Sequence, residues 1–156
     1  MECYEGATMI KTFRGLIADG AQDTIVLHTN DGSTGYRIVK FQIITKEFGD
    51  VTQENVVKIY KVKQSTVPTA NAIIDFSDNT MLAVACWSMQ SSAKQYPEDM
   101  TVIFDNEIFN QDIYVTNTDN EDANPINYYI ELEQVKLDLG ENTVATLKDI
   151  RNVTAP

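Results

Sequence analysis

Apolar residues in this chain recur mostly at every second position, and near the carboxyl end at every third. A period of two puts alternate side chains on opposite faces of a strand. Val39, Phe41 and Ile43 share one parity, so they predict a strand through Tyr36–Ile44 with these three on its apolar face and Arg37 and Thr45 at its wet ends. Upstream, Ile25, Val26 and Leu27 predict a shorter strand. The intervening Thr29–Gly35 stretch contains Asp31-Gly32, which supplies the positive φ of a turn, so the two strands are expected to form a hairpin.

Val56–Lys63 alternates β-branched residues with three lysines, which suits a strand solvated on one side and near a sheet edge, where lysines discourage unwanted pairing. Met81–Met89 is apolar on both parities and reads as a strand covered on both faces; a short buried helix capped by Asp78-Asn79-Thr80 is the alternative. Met100–Phe104 follows, then Phe109, Ile113 and Val115 on one parity, then Tyr128, Ile130 and Leu132. Beyond Leu132 the apolar parity switches to Val135, Leu137 and Leu139. A period-two pattern changes face only through an extra residue or a bend, so a β-bulge or bend is predicted at Glu133-Gln134.

After Gly140 the spacing becomes helical. Val144, Leu147 and Ile150 recur every third residue, Asn142 can cap the first turn and Arg151 complements the dipole at the last, giving a predicted short helix over 142–152. About eight short strands followed by one helix predict a mainly β chain: an antiparallel β-sandwich or jelly-roll-like barrel with a C-terminal helix, forming a single domain over 1–156. The expected core comprises Val39, Phe41, Ile43, Leu82, Val84, Trp87, Ile130 and Leu132.

Charge changes the picture by being uneven. The net charge is −11, yet residues 1–97 hold ten acids against nine bases, while residues 98–142 hold twelve acids and one base, Lys136. Nucleic-acid binding needs clustered cations, so direct contact with a nucleic acid is not expected. The amino terminus lacks a basic region followed by an apolar one, and no stretch reaches the roughly 18 apolar residues of a span. Neither a signal peptide nor a membrane partner is therefore predicted. Cys3 and Cys86 are the two cysteines and are read as free thiols.

The search for chemistry yields little. His28 is the single histidine and falls on the polar parity of its strand, which leaves no ordinary Ser-His-Asp or Cys-His constellation and too few soft ligands for zinc. The Asn117–Asn124 stretch offers oxygens at alternate positions, with Asp119, Glu121 and Asp122 as a weak calcium candidate. It lacks the glycine and the terminal glutamate of an EF-hand, so a solvated turn is the better reading. Gly32-Ser33-Thr34-Gly35 leads into a strand and not a helix, so it does not form a phosphate cradle. Asp75/Asp78 and Glu131/Glu133 are carboxylate pairs with no sign of a sugar cleft around them. No cofactor is expected and the chain is read as non-enzymatic.

Three stretches carry a family resemblance: Gly35-Tyr36-Arg37-Ile38-Val39-Lys40-Phe41-Gln42-Ile43, Ile74-Asp75-Phe76-Ser77-Asp78-Asn79 and Pro125-Ile126-Asn127-Tyr128-Tyr129-Ile130-Glu131-Leu132-Glu133. Together they resemble the small virion structural proteins of marine tailed bacteriophages of the cyanophage type. The resemblance implies a virion location, with the major capsid protein, other virion proteins and copies of itself as partners. It further implies decoration or cementing of the capsid exterior; a neck, tail or baseplate component is the alternative, and a carbohydrate-binding adhesin the alternative of another class. The expected contact elements are the terminal helix, through Val144, Leu147 and Ile150, and residues 1–13. The latter are read as an extended arm bearing Tyr4, Met9, Ile10 and Phe13 that pairs with another chain's sheet edge.

Overall fold

The computed structural model describes residues 9–30, 32–49, 51–68, 72–90, 100–104 and 107–137. Eight strands fill most of this: β1 (Ile10–Ile17), β2 (Gln22–Ile25), β3 (Thr34–Thr45), β4 (Gln53–Tyr60), β5 (Met81–Met89), β6 (Met100–Ile103), β7 (Ile113–Asp119) and β8 (Ile126–Lys136). They form two sheets, β1-β8-β3 and β2-β7-β4-β5-β6, in which every paired neighbour is antiparallel. The chain is thus mainly β. The predicted helix over 142–152, with Val144, Leu147 and Ile150, lies outside the described residues, as does Tyr4.

One apolar core joins the sheets. From the smaller sheet come Ile17, Ile38, Phe41, Ile43, Ile126, Ile130 and Leu132, and from the larger Val57, Ile59, Ala83, Ala85, Trp87, Ile113 and Val115. A smaller cluster of Val56, Tyr60, Met81 and Val84 lies on the opposite side of the five-stranded sheet. That division explains why Met81–Met89 is apolar on both parities: β5 has apolar cover on each face, and it is a strand, not a helix.

Several sequence expectations are corrected. The Ile25–Leu27 strand and β3 do not form a hairpin, because β2 pairs with β7 while β3 pairs with β8. The Thr29–Gly35 loop carries the chain from one sheet to the other, a connection that local turn chemistry does not distinguish from a hairpin. The lysine-bearing β4 is central, between β7 and β5, and not near an edge. The face change predicted at Glu133-Gln134 in β8 occurs in its partner: register shifts between Ile38 and Lys40, so Val39 is the bulged residue. Buried parity in β3 consequently passes from Tyr36 and Ile38 to Phe41 and Ile43. Val39, expected in the core, is 39% exposed. Residues Ile10–Phe13, expected in a free arm, pair with Glu133–Ile130 of the same chain, and the Met9 carbonyl accepts from the Gln134 amide.

Gly15 marks a close approach within the smaller sheet. It pairs with Tyr128, and an added Cβ would lie 2.9 Å from the tyrosine hydroxyl and 3.0 Å from two ring carbons. The ring cannot easily yield, because its hydroxyl donates to Asp23 Oδ2 at 2.9 Å. Gly15→Ala is therefore expected to destabilise by about 1–2 kcal/mol as the ring is forced aside. Urea unfolding measures this, and an unchanged midpoint would show that the ring is free to move.

Candidate interaction surface

The outer faces of the two sheets differ. Against the five-stranded sheet lie the described residues of the β4–β5 connection, 61–68 and 72–80, held in turn by successive strands. Gln64 and Gln22 of β2 exchange hydrogen bonds of 2.8 and 3.0 Å, Thr118 Oγ1 of β7 donates to the Pro68 carbonyl at 2.7 Å, and Lys58 Nζ of β4 donates to the Ile73 carbonyl. Phe76 then meets Phe104 edge to face, 5.4 Å between centroids. Beneath this strap Val56, Tyr60, Val84, Thr116 and Thr118 are buried although they point away from the main core. Burial pushes the Tyr60 hydroxyl up to about 12, with the Asp78 charge adding to it.

The outer face of the three-stranded sheet carries no such strap among the described residues. Pairing registers stack its outward side chains in rows: Leu16–Asn127–Ile44, then Arg14–Tyr129–Gln42, then Thr12–Glu131–Lys40, then Ile10–Glu133–Arg37. Leu16 is 49% exposed and Ile44 52%, large apolar side chains left in water. With Arg14, Gln42, Asn127 and Tyr129 they line an open groove of about 710 Å³. Large exposed apolar side chains grouped with polar ones, here separated by Asn127, are a feature of interaction sites.

Charge on this face is arranged asymmetrically. Arg37 is held by Glu133, at 2.6 Å and 2.7 Å from its guanidinium nitrogens. Glu131 accepts from the Tyr129 hydroxyl at 2.8 Å, and Lys40 Nζ lies 5.9 Å from the Tyr129 ring centroid. Arg14 is exposed and has no carboxylate partner among the described residues. The groove thus offers a cation, two amides, an aromatic ring and two aliphatic side chains.

The other candidates resolve into structural roles. Asp119 is buried, and its carboxylate accepts from the amides of Glu54 and Glu121 at 2.9 Å each, from the Asn124 amide at 2.7 Å and from Asn124 Nδ2 at 3.0 Å. Its burial by itself would raise the pKa, but these hydrogen bonds outweigh it and hold the carboxyl below its ordinary value. Glu121 and Asp122 remain exposed on the turn. No group of three metal-ligating side chains occurs among the described residues, Asp119, Glu121 and Asp122 included. His28 is a surface residue bonded to Asp112 at 2.7 Å. Asp75 and Asp78 each cap their own turn, through Ser77 and Thr80 respectively. Burial pushes the Cys86 thiol up, against the lowering influence of Lys58, so it is not an activated nucleophile.

Of the predicted contact residues, Met9 and Ile10 are exposed and Phe13 is half-buried, packed against the core. The groove residues escaped the sequence reading because Leu16, Ile44 and Tyr129 are far apart in sequence and each looks like an ordinary strand position. The fold and surface define the class: a mainly β protein of two antiparallel sheets, one crossed by the β4–β5 connection and one left open by the described residues. Neither a family model nor a curated protein matches this sequence.

Proposed function

We propose that this chain is a structural protein of a tailed-bacteriophage virion, decorating or cementing the capsid exterior through β-sheet surfaces. The observation that carries the reading is the contrast between the two sheets. A chain that covers one outer face with its own strap and leaves Leu16, Ile44 and Tyr129 in water on the other has a surface suited to burial against a neighbour. The resemblance of Gly35–Ile43, Ile74–Asn79 and Pro125–Glu133 to virion proteins supplies the context. The acidic net charge favours an outer position over one lining packaged DNA.

In this reading the groove binds protein and does no chemistry. Its partners are the major capsid protein and copies of the chain itself. The groove's aromatic ring flanked by Arg14, Gln42 and Asn127 also favours one second reading, a carbohydrate-binding module, since rings and amides together suit a sugar. Co-sedimentation separates the two. The purified protein is expected to bind capsids lacking tails and to show no binding on a glycan array. Binding to isolated tails alone would move it to the tail or baseplate, and glycan binding without particle binding would overturn the virion assignment.

A further inference from the structure

On the outer side of the five-stranded sheet a cavity of about 180 Å³ opens beside the start of β5, lined by Phe76, Asp78, Asn79, Met81, Phe104 and Glu107. Two aromatic rings form a corner of it. The Phe76 and Phe104 rings stand at 86° to each other with centroids 5.4 Å apart. Phe104 is fixed from behind: it packs against the cluster of Val56, Tyr60, Met81 and Val84, and its amide donates to the Leu82 carbonyl at 3.0 Å. Phe76 sits in a turn closed by the Asp78 amide donating to the Asp75 carbonyl at 3.2 Å, and by the Ser77 amide and hydroxyl on the Asp75 carboxylate. Although so placed, Phe76 is 56% exposed, because the contact with Phe104 covers only part of its ring.

The faces of aromatic rings are electronegative, so a cavity bounded by two rings and by carboxylates favours a cation. Among the described residues its lining includes Asp78 and Glu107 and no lysine or arginine. Glu107 is matched by the buried Lys61, 3.3 Å away, which leaves Asp78 to supply the charge. The bonds that Asp78 accepts from the Thr80 amide and hydroxyl both fall on Oδ1, so the turn does not use Oδ2. Lys58, which feels the Asp78 charge, gives its Nζ to the Ile73 carbonyl and does not line the cavity. The volume is below the roughly 300–1,000 Å³ of sites for drug-sized ligands, so the cavity suits a head group and not a whole cofactor. We propose that it binds an alkylammonium group, the end of a lysine side chain or of a free amine, with the charged nitrogen in the Phe76–Phe104 corner beside Asp78. This site lies on the other sheet from the groove and shares no residue with it, so it stands apart from the reading of that groove.

Magnetic-resonance titration of the full chain with n-butylammonium chloride tests this, at constant ionic strength and with n-butanol as the uncharged probe of equal alkyl length. The amine is expected to bind in the millimolar range and to shift the amide signals of Phe76, Met81 and Phe104, whereas n-butanol leaves them in place. Phe76→Leu keeps an apolar side chain and removes the ring face, so the dissociation constant should rise about three- to tenfold. Phe76 is exposed, so circular dichroism should show this variant folded as the wild type is. Asp78→Asn keeps an oxygen for Thr80 and removes the charge, and should weaken binding at least as much. N-acetyl-lysine amide tells the two sources apart: affinity equal to or above that of n-butylammonium supports a protein lysine as the ligand, and lower affinity supports a free amine. Saturable binding of n-butanol at the same signals, no shift with either amine, or an unchanged affinity in F76L would each overturn the cation site.

Discussion

Replacing Asp119 by alanine is expected to lower stability by about 3 kcal/mol, enough to drop the thermal midpoint by roughly 6–12 °C in a chain of this size. The cause is the number of donors that converge on one carboxylate. The amides of Glu54, Glu121 and Asn124, with the Asn124 side chain, come from β4 and from the β7–β8 turn, so the side chain ties a turn to a strand of the larger sheet. Removing it leaves several backbone donors unpaired at once. The effect carries a pH signature. Because the folded-state pKa is depressed, the charged form stabilises the fold fully above the ordinary carboxylate value and progressively less as pH falls through the folded-state value. Urea titrations of wild type and Asp119→Asn should therefore diverge most near neutral pH and converge below about pH 4. Asp112, whose burial is likewise outweighed by hydrogen bonds from His28 and Leu27, contributes in the same direction in both proteins and cancels in the comparison. Curves that stay parallel to low pH would rule out the carboxylate as the source.

A comparable loss, about 2–4 kcal/mol, is expected for Asn117→Ala. Asn117 is fully buried between the sheets and belongs to a chain of amides. Thr45 donates to Gln53 Oε1 at 2.8 Å, Gln53 Nε2 to Asn55 Oδ1 at 2.9 Å, and Asn55 Nδ2 to Asn117 Oδ1 at 3.0 Å. Asn117 Nδ2 then donates to the Ile17 carbonyl at 3.1 Å. The chain starts on β3, crosses β4 and β7, and returns to β1, so it joins both sheets through satisfied polar groups. Alanine would take one donor from the Ile17 carbonyl and one acceptor from Asn55 in a region of low dielectric, where lost polar partners cost most. Leucine at the same position should be no better, because it restores volume and not the partners. If N117L matched the wild type in urea, the amide chain would be a passenger in the core.

These two residues show how far the sequence could be read. Strand parity found β3, β5 and β8 because burial on one or both faces leaves a local mark at every second residue. Oxygen-rich composition makes the Asn117–Asn124 stretch read as a solvated turn, although Asn117 and Asp119 are buried. A polar residue at a buried position looks like a polar residue at an exposed one until its partners are known, and these partners lie up to 100 residues away. The bulge went to the wrong strand for a related reason: a parity switch shows that two paired strands are mismatched, and the partner can absorb the extra residue, as Val39 does.

By itself, then, the sequence determined the β class, the positions of most strands, the acidic balance and the scarcity of catalytic side chains, since each follows from local alternation or from counting. Tertiary structure alone decided which strands share a sheet. It put the lysine-bearing β4 in the middle, drew the β4–β5 connection against one sheet, and brought Arg14, Leu16 and Tyr129 together on a face of the other that the described residues leave open. Those outcomes depend on long-range pairing, where the energy of a contact is unrelated to the distance between its residues along the chain, and no local pattern records them.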